Sequence, residues 1–435
     1  MAAPRVAIVH YWWVANRGGE HFAAALLKLF PEADLFVHVC DEELVRRTLG
    51  PDFRGRIVQS FIARLPGARR HYQKYLPLMP LALEQLDLSA YDLVISCESG
   101  PAKGVLTRPD ALHVCYCHSP MRYLWDQYHE YKAAAGPLVR ALWPLIAHWL
   151  RVWDRQTADR VDIFLANSAF VASRIRKYYR REARVVYSPA SVHQFRADQP
   201  RGSHYLVLGQ LVRYKRADLA VRACTALGLP LTVIGEGEQL EELRALAGPT
   251  VRLLGRQPME VVREQLQTCR ALLFPGVEDF GLVPVEAMAA GAPVIAYARG
   301  GALETVVDGV TGCLFHEQTA ESLQAAILRI ERGELRIDPQ AARAQALLFA
   351  PEHFEAELRA LLDEALAAHA QACRPAPNPR LSAETAASPT SDLPTSDLPD
   401  DLPADPAAAP SGPRSSAPPA AGPARSDRPI ADLHR

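Results

Sequence analysis

Two carboxylates, Glu278 and Glu286, stand with seven residues between them, in a stretch that runs from Phe274 to Gly291. Just upstream, Ala271–Phe274 is an apolar run that reads as a buried strand. Downstream, Pro284 reads as the first residue of a helix, since a proline's missing N–H has no intrahelical partner there. A helix that opens directly after such a strand turns free backbone N–H groups and the positive end of its dipole toward whatever sits above the sheet. That is a place for phosphate. Carboxylates hold phosphate poorly but accept hydrogen bonds from sugar hydroxyls. Anion donors between two hydroxyl acceptors therefore point to a nucleotide-sugar.

The elements that would position these groups follow from size and patterning. A chain of 435 residues exceeds one ordinary domain, and 49% apolar residues suffice for two cores. Net charge is −1 and the isoelectric point about 6.9, so no global field favours nucleic acid. Eight cysteines lie mostly inside apolar runs, as buried reduced thiols do, which fits a cytoplasmic protein better than a disulfide framework. The first residues run straight into a strand, so no signal peptide is expected. The longest candidate for a membrane span, 133–153, is interrupted by Gly136, Pro137, Arg140, Pro144, His148 and Arg151, so no span is expected.

Arg5–His10 is apolar without alternation, the mark of a strand buried on both faces. Similar runs at Asp34–Cys40, Asp92–Cys97, Leu112–Cys117 and Asp162–Asn167 alternate with helical segments, the first of them from Glu20 to Phe30. A second series begins at His204–Gly209 and continues through Leu231–Gly235, Val251–Leu254, Ala271–Phe274 and Pro293–Ala296. Helices are expected at 216–227, 238–246, 258–268, 284–290 and 319–332. This alternation predicts an α/β protein with two Rossmann-like domains and mostly parallel sheets, whose ligands bind beyond the carboxyl ends of the strands. The expected boundaries are a first domain at 1–190, a hinge at 191–202 rich in Ser, Pro and polar residues, and a second domain at 203–350. An amphipathic helix at 351–371 is expected to cross back to the first domain. From 374 to 435 the chain is rich in Pro, Ala and Ser, holding fourteen of its 35 prolines, and is expected to be disordered.

The whole run from Phe274 to Gly291, with Phe280-Gly281 before the helix and Ala290-Gly291-Ala292-Pro293-Val294-Ile295 after it, resembles the signature of retaining glycosyltransferases of family 4. Those enzymes have the GT-B architecture, two Rossmann-like domains facing across a cleft. The resemblance covers about residues 5–370 and implies a set of site residues. Gly18 and Gly19 match the family's Gly-Gly turn after the first strand. Lys215, in Gly209–Arg216, falls on the lysine that neutralises the donor diphosphate, while Gln210 occupies the position of the family's arginine. Arg213 or Arg216 is then expected to supply the missing cation. Gly235 and Gly237 match a further tight turn, and Glu304 falls where a second donor contact or a helix N-terminal acid is expected. His118 falls on a histidine that contacts the transferred sugar. The resemblance thus implies His118, Lys215 and Glu278 as catalytic residues. It places the diphosphate on Lys215 and the amides of Phe280, Gly281 and Leu282, sugar hydroxyls on Glu278, and the nucleotide ribose on Glu286. Arg122, Tyr123 and Trp125 suit an acceptor platform, because aromatic rings stack on the C–H faces of sugars.

No cofactor and no metal are expected. His113, Cys115, Cys117 and His118 are dense enough for a ligand set, yet alternation along a strand turns His118 away from the others and no second ligand pair has zinc-site spacing. The chain also lacks the Asp-x-Asp motif of metal-dependent enzymes. The segments Ser60–Pro80, Cys117–Asp126 and Val212–Ala220 resemble bacterial O-antigen mannosyltransferases, which implies GDP-mannose as donor and a glycan or lipid-linked acceptor. A UDP-sugar donor, or a non-catalytic scaffold of the same fold, are the alternatives, the second favoured by Gln210. Cations interleave with aromatics from Arg64 to Tyr75, a composition suited to anionic membrane, and peripheral binding to the inner face of the cytoplasmic membrane is expected. For Arg140–Trp153, burial as a helix of the first domain is the preferred reading over a membrane surface.

Overall fold

The computed structural model describes residues 4–16 and 18–373; residues 1–3, Arg17 and the tail from 374 lie outside the described residues. Two all-parallel sheets carry the fold. The first is built from β1 (Val6–His10), β2 (Asp34–Val37), β3 (Ile57–Gln59), β4 (Leu93–Glu98), β5 (Leu112–Cys117), β6 (Ile163–Ala166) and β7 (Ala183–Val185), in the spatial order β3-β2-β1-β4-β5-β6-β7. The second contains β8 (Tyr205–Leu208), β9 (Leu231–Ile234), β10 (Val251–Gly255), β11 (Ala271–Phe274), β12 (Val294–Tyr297) and β13 (Gly312–Phe315), ordered β10-β9-β8-β11-β12-β13.

The central strands match the expected ones within a few residues, because each is a mostly apolar run buried along its whole length. Three edge strands escaped the sequence reading. β3 and β7 are three residues long and only partly buried, so they show neither a continuous apolar run nor enough alternation to register. β13 begins with glycine. A helix at Pro339–Leu347 was also missed; Asp338 caps it by accepting the Gln340 N–H at 3.0 Å, and it packs against the Leu282–Ala289 helix.

Strand order reverses between β1 and β4 in the first sheet and between β8 and β11 in the second. At such a switch point the connections leave in opposite directions and open a crevice beyond the strand ends. His10 ends β1, His118 follows β5, Gly209 follows β8, and Pro275 follows β11. The groups singled out in the sequence therefore converge on these two crevices.

The Pro351–Ala372 helix inserts Phe354, Leu358, Leu361, Leu362 and Ala365 into the core of the first sheet, with Phe354 5.3 Å from the Phe22 ring and 6.2 Å from the Tyr116 ring. The chain thus returns to the sheet it began with.

One buried ionic cluster supports the His118 loop. The Lys103 ammonium, fully enclosed, lies 3.0 Å from Glu98 Oε1 and also pairs with Asp154. Asp154 accepts further hydrogen bonds from Trp125 Nε1 at 2.7 Å and from the Tyr179 hydroxyl at 3.1 Å. Glu98 accepts from the backbone N–H groups of Ala102 and Lys103. Burial, with Asp154 as a like charge nearby, pushes the Glu98 carboxyl upward despite Lys103. The Glu98 carbonyl in turn accepts the N–H of His118 at 2.8 Å. Lys103→Met would strand two buried carboxylates without their cation, and a loss of about 3–5 kcal/mol is expected. Urea unfolding followed by tryptophan fluorescence checks this, and an unchanged midpoint would contradict it.

Candidate functional site

The loop after β11 is held by close backbone contacts. A side chain at Gly276 would sit 2.6 Å from Lys215 Cα, so the two loops can touch only with glycine there. Gly281 takes φ +87° and stands at the N-cap of the Leu282–Ala289 helix, with no side chain capping that end. The helix thus opens two residues before the expected Pro284. The first three helical N–H groups all lack intrahelical partners, so proline is tolerated throughout that turn and does not mark its start. The free amides expected at Phe280–Leu282 remain at the helix mouth.

Lys215 and Glu278 meet in one crevice, with Nζ 2.9 Å from Oε1, an ion pair without hydrogen-bond alignment. Gln210 lines the same crevice. Gly235 lies behind it, where a Cβ would fall 1.8 Å from the Gly209 carbonyl oxygen; it lets the ends of β8 and β9 approach rather than presenting a surface. Glu286 carries the other flanking carboxylate, and burial pushes its pKa up to about 7.

Neither arginine expected to replace the family cation is in the crevice. Arg213 is 72% exposed and lies 3.8 Å from Glu242. Arg216 is bound in two-point fashion to Asp218, at 2.9 and 3.1 Å. Each has a carboxylate from its own domain nearby, which sequence spacing did not reveal.

Cations do reach the crevice from the first domain. Arg122 extends to Asp279 Oδ1 at 3.0 Å and lies 5.3 Å above the Tyr214 ring. Arg174 donates to the same oxygen at 2.6 Å and also binds Asp126 at 2.6 Å. Ser168 donates to the Asp279 carbonyl at 2.6 Å. Glu304 completes the contact, accepting the N–H groups of Ala169 at 2.7 Å and Phe170 at 3.0 Å, where the Ala169–Tyr179 helix begins. It is an acid at a helix N-terminus, but of the other domain's helix. Arg174 and Asp279 were not foreseen. Their signals are an arginine on the buried face of a helix beside Val171 and Ile175, and an acid directly after Glu278.

Of the residues expected to form an acceptor platform, Arg122 reaches to the second domain. The Tyr123 hydroxyl is turned to Met121 Sδ at 2.8 Å, and Trp125 stacks on Tyr178 at 4.8 Å while donating to Asp154.

His118 stands in the first domain within electrostatic reach of Asp279. The residue is only partly buried, but its Nε2 is shielded from solvent and has no hydrogen-bond partner within the protein, and the Phe22 ring meets it edge-on at 4.7 Å. Burial, only partly opposed by Asp279, lowers its pKa to about 4, so it is a neutral imidazole at pH 7. His10 is fully buried, with both ring nitrogens unpartnered. Gly19 lies over His10 and Tyr11, and a Cβ on Gly18 would stand 3.7 Å from Leu282 Cδ1 across the crevice. His113, by contrast, binds Ser96 Oγ at 2.9 Å and the Arg160 carbonyl at 3.1 Å, and Cys115 and Cys117 sit in an apolar cluster. Among the described residues no group of three or more metal-ligating side chains assembles.

The family model Glycosyltransferase Family 4 matches residues 16–193, and the model Glycosyl transferases group 1 matches 195–346. The chain is 33% identical over 145 residues to glycogen synthase of Pseudomonas aeruginosa, covering 31% of this chain and 28% of that protein. It is 31% identical over 159 residues to the GDP-mannose-dependent alpha-(1-6)-phosphatidylinositol monomannoside mannosyltransferase of Mycolicibacterium smegmatis, covering 32% of this chain and 40% of that one. The matched segments thus span less than half of either relative. Sucrose-phosphate synthase from Thermosynechococcus elongatus has the same fold, with a TM-score of 0.62 at 18% identity over 84% of this chain and 100% of that one.

The Glu286 shift has a definite sign. An unfolded glutamate ionises near 4.5, whereas this one holds its proton to about 7, so the native state binds more protons between those values and loses stability as pH rises through them. Glu286→Gln removes the effect. Its melting temperature is expected to gain on the native protein's between pH 5 and pH 8, as scanning calorimetry without nucleotide would show; a constant difference would refute the shift.

Proposed function

The chain belongs to the GT-B glycosyltransferases, its halves matching Family 4 and group 1, and from that premise we propose that it transfers mannose from GDP-mannose to a glycan or lipid-linked acceptor, with retention and without a metal. The observation that carries this reading is the meeting of Lys215 and Glu278 at an uncapped helix mouth, opposite a neutral His118. In the donor complex the ammonium leaves Glu278 for the diphosphate, where it neutralises charge as the sugar–phosphate bond breaks. Glu278, freed of its cation, accepts from hydroxyls of the transferred sugar. His118 Nε2 does the same from the first domain. The acceptor oxygen bonds to the anomeric carbon on the face the phosphate leaves, and its proton passes to the departing phosphate oxygen. Glu286 accepts from the ribose. Closure of the two domains keeps out water, the competing acceptor.

Mannose is supported by the segments that resemble O-antigen mannosyltransferases and by the named activity of the Mycolicibacterium relative. A scaffold that binds nucleotide without turnover is the second reading, favoured by Gln210 and by the distance of Arg213 and Arg216 from the crevice.

Purified protein is expected to release GDP from GDP-mannose, and Lys215→Ala to lower kcat about 10²–10³-fold, the usual effect of removing one group that stabilises developing negative charge. Release of UDP alone from UDP-sugars would overturn the mannose assignment. Nucleotide binding with no release from any donor would favour the scaffold.

A further inference from the structure

Gln210 stands where the family's arginine is expected, and an amide offers hydrogen bonds but no charge. Arg213 and Arg216 are turned to acids of their own domain. Among the described residues of the second domain that line the crevice with Gln210, Lys215 alone is cationic. A diphosphate brings more negative charge than one ammonium balances. Arg122 approaches the same loops from the first domain.

The Arg122 backbone is fixed, its carbonyl accepting the N–H groups of Trp125 at 3.2 Å and Gln127 at 2.9 Å, with Met121 before it buried in the core. The side chain is only 13% exposed. It lies over the ring of Tyr214, the neighbour of Lys215, and within electrostatic reach of Glu278. Yet the guanidinium is poorly spent. It meets Asp279 Oδ1 at 3.0 Å and the Val277 carbonyl at 3.5 Å, the outer edge of a hydrogen bond, while Nε is shut away from solvent without a partner. Arg174 is the contrary case, bound to Asp279, Asp126, the Ser119 hydroxyl and the Pro120 carbonyl. Asp279 therefore keeps a cation if Arg122 turns away. Glu278 Oε1 is likewise buried and lacks an aligned donor. A sugar diphosphate supplies what both lack, phosphate oxygens for Arg122 and a hydroxyl for Glu278.

We propose that Arg122 is the second cation of the donor site, delivered across the crevice from the first domain in place of the arginine absent at Gln210, and that it binds the distal phosphate of a nucleoside diphosphate. This assignment rests on the donor reading of the crevice, but not on the identity of the sugar or the base. As nucleotide enters, Arg122 releases the Asp279 oxygen, which Arg174 continues to neutralise, and turns its N–H groups onto phosphate. A guanidinium matches phosphate with two parallel donors, which the Gln210 amide cannot do with equal charge. When the bond from the anomeric carbon to the phosphate oxygen breaks, the electron pair stays on that oxygen, and Arg122 and Lys215 together balance the added charge. The distal phosphate thus completes its site only where the two domains meet.

Calorimetric titration of the full-length protein with GDP and UDP, and with GMP and UMP, tests this. Arg122→Gln is expected to weaken the diphosphate that binds roughly ten- to a hundredfold, as loss of a hydrogen bond between charged groups does, and to leave its monophosphate within about twofold. Gln210→Arg in the Arg122→Gln background should restore most of that loss, which a merely structural part for Arg122 would not allow. Equal diphosphate affinity in native and Arg122→Gln protein would overturn the proposal. So would a loss shared equally by mono- and diphosphate and untouched by Gln210→Arg, since Arg122 would then only hold the domains together. Binding of UDP in place of GDP, or binding without turnover, would count against the mannose or the transfer reading, while the contrast between di- and monophosphate still decides the part of Arg122.

Discussion

One carboxylate gathers the charged contacts between the two domains at the crevice. Asp279 occupies the turn between Glu278 and the helix mouth, and two guanidinium groups of the first domain, Arg122 and Arg174, meet on its Oδ1. A side chain only 17% exposed leaves little water to compete, so each charge-assisted bond is worth more than its surface counterpart. Because Asp279 adjoins Glu278, docking of the domains also sets where Glu278 stands. The interdomain contact and Glu278 are thus carried by adjacent residues of a single loop.

A second constraint is electrostatic parity within the crevice. Lys215 is paired with Glu278, and the arginines that reach the crevice from the first domain are occupied by Asp279 and Asp126. A diphosphate entering such a site must exchange partners rather than meet bare cations. The helix mouth escapes this rule, since its amides carry no counterion and no side chain caps them. Under the proposed function it would offer the phosphate a first hold while Lys215 turned away from its carboxylate.

Burial shapes the remaining groups. Desolvation lowers the pKa of His118, and the loop bearing it is tied to Glu98, itself locked in the cluster around Lys103. That cluster draws in Trp125 and Tyr179 as well. Trp125, one of the residues expected to form an acceptor platform, is thereby also part of the support beneath the histidine. Burial of one face and exposure of the other on the Pro137–Thr157 helix follow the same logic at larger scale, with the core deciding which face turns inward.

Much of the fold was legible from the chain because buried parallel strands need unbroken apolar runs, and Val6–His10 or Ala271–Phe274 can hardly be anything else. The strand–loop–helix segment that carries Glu278 and Glu286 was legible too, since a loop between strand and helix imposes its residue types through local geometry. Short edge strands were not, for three half-buried residues carry no period. Nor could spacing disclose that Arg213 and Arg216 are turned to acids of their own domain while Arg122 and Arg174 cross to the other. Local backbone physics acts between neighbours in sequence and leaves its mark there. Which charge meets which, across 105 residues for Arg174 and Asp279, depends on how two finished domains dock, and only the tertiary structure decides that.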